Sequence, residues 1–245
     1  MVPFQIKICG VTSLGDAIQA CECGADAIGL NFFPKSSRFV KRETARQIVD
    51  AIHQWSEQSH RLVKIIGVFV NLPTDQLMDL FDYVGLDGIQ LHGDEPIGQV
   101  AELRTAIGEE FTDETAALIV RAIRTQPSGE SQQRVSEEIR RVEAEIAMWA
   151  NAGVDAVLLD AEVAGEFGGT GKSVDWPAVA KLTCPIPLIL AGGLTAENVG
   201  RAIEISQAKS VDVASGVEVA PGKKDHAMVG DFVLSAKNQF VNVGE

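Results

Sequence analysis

Short apolar runs alternate along the whole chain with longer stretches whose apolar residues recur at helical spacing. Runs rich in Val, Ile, Leu and Phe and bounded by Gly, Pro or Asn read as buried strands. Stretches with a 3.6-residue apolar period read as amphipathic helices. This reading predicts strands at residues 5–9, 27–32, 64–70, 88–91, 119–123, 156–159, 187–190 and 211–214. It predicts helices at 13–23, 41–55, 74–83, 98–106, 132–150, 176–182 and 196–206, and a last one at 226–238. Eight strands, each followed by a helix at roughly 30 residues per unit, predict an α/β chain folded as one (β/α)8 TIM barrel over residues 1–245. A doubly wound sheet would usually carry G-x-G-x-x-G after its first strand. The chain has Cys9-Gly10-Val11-Thr12 there instead. No Pro/Gly/Ser-rich linker divides it, and the acidic 108–115 and polar 126–133 segments read as surface loops.

A barrel places its chemistry at the C-terminal ends of the strands and in the loops that follow. Those ends carry Cys9, Asn31, Asn71, His92, Arg124, Asp160, Gly192-Gly193 and Ser215-Gly216, a ring of polar groups and glycines on apolar strands. Cys9 ends the run Lys7-Ile8-Cys9-Gly10. A thiol there acts as nucleophile or base once its pKa is lowered from about 8.5 towards neutrality. Lys7, two residues earlier, shares its side of the strand. The same stretch, taken alone, also fits a small buried hydrophobe. Asp160 ends Val157-Leu158-Leu159. A carboxyl group at the tip of an apolar strand is partly desolvated and suited to donate a proton; a helix cap is the alternative. The first and sixth strands stand three places apart in a ring of eight, so Cys9 and Asp160 would approach a central ligand from roughly opposite sides.

Gly192-Gly193 and Ser215-Gly216 follow the seventh and eighth strands, where this fold usually holds phosphate on backbone N–H groups. Arg38, after the second strand, could grip a carboxylate in a bidentate fork, although in isolation it reads first as a solvated surface arginine. The stretch 165–173 imitates the end of a phosphate-binding P-loop, but Glu166 stands where the motif's first glycine belongs. It reads as a lid over the barrel mouth or as a long surface loop. His92 is the one histidine at a strand tip, since His53, His60 and His226 fall in helices or at their ends. That is too few ligands for a metal site, and His92 reads as a hydrogen-bonding or packing group beside the cleft.

Composition narrows the partners. The chain has 245 residues, a hydrophobic fraction of 46% and a net charge of −13. It can bury a sizeable core, and its charge disfavours nucleic acid and anionic membrane. An anionic substrate therefore needs local positive potential. The four cysteines show no C-x-x-C pair and no zinc or disulfide spacing. Reduced thiols, with no signal-like or membrane-length apolar segment, point to the cytoplasm. Trp55, Trp149 and Trp176 mark no clear dimer face, so monomer and homodimer both stay open.

These pieces together resemble phosphoribosylanthranilate isomerase, of tryptophan biosynthesis. The matching residues are Lys7-Ile8-Cys9-Gly10, Ser37-Arg38, Gln90-Leu91-His92-Gly93, Leu159-Asp160, Gly168-Gly169-Thr170-Gly171 and Ala191-Gly192-Gly193-Leu194. They continue through Asp212-Val213-Ala214-Ser215-Gly216-Val217-Glu218 and Pro221-Gly222-Lys223-Lys224-Asp225. Ala214 stands where the family often has serine, and the chain is somewhat long around 53–62, 108–115 and 125–133. The resemblance implies an Amadori rearrangement of N-(5-phosphoribosyl)anthranilate, with Cys9 as general base and Asp160 as general acid. It implies that Arg38 holds the anthranilate carboxylate and that the two glycine loops hold the phosphate. No redox step is involved, so no cofactor is implied. The related aminoaldose isomerase of histidine biosynthesis uses aspartate where Cys9 stands. A non-catalytic phosphate-binding barrel could keep the glycine loops without keeping both Cys9 and Asp160.

Overall fold

The structure is a computed structural model that describes residues 2–108, 117–126, 131–161 and 174–243. The glycine-rich stretch 165–173, read above as a lid or a long surface loop, lies outside the described residues, as do most of the 108–115 loop and half of the 126–133 loop.

Eight parallel strands close into a barrel in chain order. They are β1 (Ile6–Cys9), β2 (Ala27–Asn31), β3 (Lys64–Phe69), β4 (Gly88–Leu91), β5 (Leu118–Thr125), β6 (Ala156–Ala161), β7 (Leu188–Leu190) and β8 (Val211–Val213). Closure pairs β8 with β1, setting Val211 beside Ile6 and Asp212 beside Lys7. The helices are α1 (Leu14–Cys23), α2 (Arg42–Ser59), α3 (Thr74–Val84), α4 (Gly98–Ile107), α5 (Gln132–Ala152), α6 (Trp176–Val179), α7 (Val199–Ser206) and α8 (His226–Val243). Local chemistry sets their ends. Ser13 caps α1 by accepting from the Asp16 N–H, and Gly24 closes it with φ at 102°.

Strand alternation sorts the core into two layers. Ile6, Ile8, Ile28, Leu30, Ile65, Ile89 and Leu159 pack outward against the helices. Phe4, Ala27, Ile66, Val120, Ala156, Leu158 and Ile189 fill the barrel. In β1 the outward residues are Ile6 and Ile8, so Lys7 and Cys9 face the interior.

Several boundaries differ from expectation. The long stretch near 53–62 is largely the last turns of α2. Helix α6 stops at Val179 rather than 182 and passes into a turn before Pro185. Helix α7 starts at Val199 rather than 196, because Asn198 Oδ1 accepts from the Thr195 N–H and holds residues 195–198 in a turn. After β8 the chain makes a 3-10 turn (Ser215–Val217) and a small antiparallel hairpin of β9 (Glu218–Ala220) and β10 (Lys223–Lys224). Strands this short leave no period to read in a sequence. Among the described residues no helix is long and apolar enough to cross a membrane.

Candidate active site

The barrel mouth holds one cleft of about 470 Å³, open to solvent, with Cys9, Arg38, His92 and Asp160 all on its wall. Gln90, Asp212 and Ala214 line it as well. A second hollow of about 280 Å³ adjoins it, lined by Gly192, Gly193, Ser215 and Gly216. Asp160, Asp212 and Ala214 border both, so the two form a continuous surface. All eight expected site residues thus meet at one end of the barrel.

Cys9 is buried at the tip of β1. Gly29 on β2 makes room for it, since a Cβ there would lie 2.7 Å from Cys9 Sγ and 3.1 Å from Lys7 Cε. Burial pushes the thiol above the ordinary cysteine value; Lys7 pulls it down, Asp212 adds to the rise, and Lys224 pulls it down again. The cations favour a thiolate, but desolvation outweighs them in the free site.

Lys7 is fully buried. Its Nζ donates to Asp212 Oδ1 at 2.7 Å and to Gln90 Oε1 at 2.8 Å. Burial works against the charge, yet Asp212 and Cys9 prevail and hold the ammonium above the usual lysine value. Across the cleft, Asp160 Oδ1 accepts from the Ala161 N–H at 2.9 Å, and Oδ2 faces His92 Nε2 at 3.6 Å. His92 Nδ1 lies 2.8 Å from Gln90 Nε2.

Arg38 is gripped by Glu218. Its Nε donates to Oε1 at 2.9 Å and its Nη2 to Oε2 at 2.7 Å. Lys224 Nζ joins them, donating to Glu218 Oε1 at 2.8 Å and to the Ala214 carbonyl at 2.9 Å. Burial raises the Glu218 carboxyl, but Arg38 and Lys224 outweigh it and hold it below the usual range. Burial also pulls Lys224 below the usual lysine value, and Glu218 restores only part of that. The bidentate geometry expected of Arg38 is present, with a carboxylate of the protein itself as partner. Nη1 stands outside the pair.

The glycine hollow has no lysine or arginine among its described lining residues. Anion binding there would rest on backbone N–H groups. Gly192 and Gly193 have φ of 80° and 63°. A Cβ on Gly216 would overlap the Leu194 carbonyl oxygen, so the two loops touch only because residue 216 has no side chain.

Two members of the expected ring are placed elsewhere. Asn71 Oδ1 accepts from the Asp94 N–H while its own N–H donates to Glu95, so it braces the turn after β4. Arg124 pairs with Asp94 at 2.9 Å. Conversely, Lys7, Gln90, Asp212, Glu218 and Lys224 shape the site without having been assigned roles from sequence. Period-2 alternation was the available signal for Lys7 and Gln90, each two residues before a tip residue. Among the described residues no group of three His, Cys, Asp or Glu could hold a metal ion.

The family model described as N-(5'phosphoribosyl)anthranilate (PRA) isomerase matches residues 6–235. The N-(5'-phosphoribosyl)anthranilate isomerase of Thermotoga maritima is 38% identical over 234 residues, covering 95% of this chain and 98% of that one. A crystal structure of the phosphoribosyl anthranilate isomerase from Thermotoga maritima superposes with a TM-score of 0.73 at 34% identity, covering 97% of this chain and 100% of that chain. A further isomerase structure, in complex with reduced 1-(o-carboxyphenylamino)-1-deoxyribulose 5-phosphate, gives a TM-score of 0.70 at 33% identity, with the same coverage.

Proposed function

Since the chain belongs to the N-(5'-phosphoribosyl)anthranilate isomerase family, we propose that its Cys9 is the general base and its Asp160 the general acid of that isomerisation. The observation that carries this reading is the placement of a thiol and a carboxyl group on one cleft that runs into a glycine-lined hollow.

The chemistry follows from the substrate. Asp160 gives its proton to the furanose ring oxygen, and the C1–O bond breaks as the anthranilate nitrogen lone pair forms a C1=N iminium. The iminium draws electrons from the C2–H bond, and Cys9 as thiolate takes that proton. The C2–H electron pair forms C1=C2 while the C1=N π pair returns to nitrogen, giving an enolamine. Protonation at C1 and loss of the C2 hydroxyl proton then leave the 2-ketone. C1 is reduced by the same two electrons that C2 loses, so no external electron acceptor is consumed.

Lys7 and Lys224 offset part of the cost of the buried thiolate. The glycine loops take the phosphate, and Arg38, held by Glu218, takes the anthranilate carboxylate. Anchoring both ends fixes C1 and C2 between acid and base. The same reading makes residues 1–245 a single catalytic domain. It acts in the cytoplasm as monomer or homodimer on a small anionic phosphosugar, with no nucleic acid or membrane partner. Four free cysteines suit a reducing compartment.

The test follows anthranilate fluorescence after substrate is generated in situ. Wild type should turn over without added metal or cofactor. Cys9→Ser and Asp160→Asn should each lose on the order of 10²–10⁴ in kcat, the usual contribution of a positioned acid or base. Full activity in either variant overturns that residue's role.

A further inference from the structure

The polar groups beneath the cleft form a chain whose direction is fixed from one end. Lys7 Nζ donates to Gln90 Oε1 at 2.8 Å. An ammonium carries protons and no acceptor, so the Gln90 amide must turn its oxygen towards Lys7 and its NH2 away. That NH2 stands 2.8 Å from His92 Nδ1. An amide nitrogen only donates, so Nδ1 must present its lone pair. The ring proton then sits on Nε2, the nitrogen that faces Asp160 Oδ2 at 3.6 Å. The opposite tautomer would set the Gln90 and His92 N–H groups head to head. Lys7, Gln90, His92 and Asp160 are all buried. The Lys7 end cannot reverse, because Asp212 takes another of its protons at 2.7 Å.

We propose that Lys7 and Gln90 lock His92 as the Nε2–H tautomer, so that His92 holds a directed N–H for the carboxylate that Asp160 becomes on giving up its proton. This assignment rests on the reading of Asp160 as the acid. Asp160 Oδ1 already accepts from the Ala161 N–H at 2.9 Å. His92 supplies the donor on the other oxygen, so the anion left by ring opening meets one N–H on each side. At 3.6 Å the His92 contact is longer than a hydrogen bond, and it tightens as negative charge develops on Oδ2. An interaction that strengthens only along the reaction raises kcat rather than substrate affinity. Lys7, Gln90 and His92 are positioning residues in this account. Lys7 also acts on the Cys9 thiol, so one buried ammonium serves both the acid and the base.

The chain has four histidines, which makes the assignment tractable by ¹⁵N NMR of the labelled protein, with His92→Gln identifying the His92 signals. Wild-type His92 should show a protonated Nε2 and an unprotonated Nδ1. Gln90→Glu sets an acceptor opposite Nδ1 and should move a proton onto Nδ1. It should lower kcat on the order of tenfold or more while KM changes by less than about threefold, the pattern of a lost transition-state donor. His92→Leu should cost on the order of a hundredfold in kcat. His92→Gln, whose side-chain N–H reaches about as far as Nε2, should recover a large part of that loss. A wild-type proton on Nδ1 overturns the proposal even if every variant misfolds. So do equal losses in His92→Leu and His92→Gln, which would mark a packing role. An unchanged kcat in Gln90→Glu with the proton shown to have moved also overturns it. Asp160→Asn with wild-type turnover would remove the acid reading itself, while leaving the tautomer measurement to stand independently.

Discussion

Lys7→Met removes a charge from a place that water does not reach. Lys7 has 0% of its surface exposed and sits 2.7 Å from Asp212 Oδ1 and 2.8 Å from Gln90 Oε1. Methionine replaces the hydrocarbon stem at similar volume, so the loss is mainly electrostatic. Asp212 is then left without its partner, and breaking a buried pair from one side costs about 3–5 kcal/mol. The middle of that range, about 4 kcal/mol, is a large share of the roughly 5–15 kcal/mol that holds a domain folded. At about 2–4 °C per kcal/mol for a chain of this size, Tm should fall by about 8–16 °C.

Urea denaturation of both proteins at pH 7 checks the magnitude. Lys7→Met combined with Asp212→Asn should recover most of the loss, because the stranded charge is gone. A single variant within about 1 kcal/mol of wild type, or a double variant as unstable as the single, would refute the reasoning.

Cys9 should react slowly with iodoacetamide. Burial raises its pKa, so at pH 7 its thiolate fraction is below that of a free cysteine, and the rate should climb about tenfold per pH unit through pH 8. Peptide mapping by mass spectrometry reads this, and labelling at pH 7 as fast as free cysteine would contradict it. Gly216→Ala forces the loop after β8 away from the Leu194 carbonyl and so opens the glycine hollow. Inhibition by inorganic phosphate should weaken on the order of tenfold or more, equivalent to about 1.4 kcal/mol, with the far-ultraviolet circular dichroism unchanged; equal inhibition would place the phosphate elsewhere.

The barrel and its mouth were legible because both depend on local signals. Apolar runs ending in Cys9, His92 and Asp160 mark strand ends, and barrel geometry alone then brings residues 9, 38, 92 and 160 to one cleft. What was not legible depends on partners far away in the chain. Lys7 meets Asp212 across 205 positions because β8 closes on β1, and Arg38 meets Glu218 across 180. No local pattern shows such pairs. Strand ends also mislead when a neighbouring turn claims the residue, as Asp94 and Glu95 claim Asn71 and Arg124. The surroundings of the thiol were legible only in part: Lys7 could be placed beside Cys9 from alternation, but the extent of burial is a property of the closed barrel.

The pairing also bears on how a chain of net charge −13 can hold an anionic substrate. Among the described residues, Lys7, Arg38 and Lys224 stand at or beneath the mouth, and each is already matched to Asp212 or Glu218. Unpaired, they would be costly to bury and would be drawn out towards water. Paired, Lys224 and Arg38 each keep a donor in reserve, while Lys7 is spent within the site. An ammonium has three protons, and Lys7 directs two of them at Gln90 and Asp212 while also acting on Cys9. Lys224 uses two, on Ala214 and Glu218. Arg38 keeps Nη1 outside its bidentate contact. The carboxylates thus hold the cations in fixed orientation, and an anion is met by aimed N–H groups and loop backbone rather than by a net positive field. Removing Asp212 or Glu218 would raise the local positive charge, yet on this argument it would weaken binding and turnover, because orientation is what the carboxylates supply.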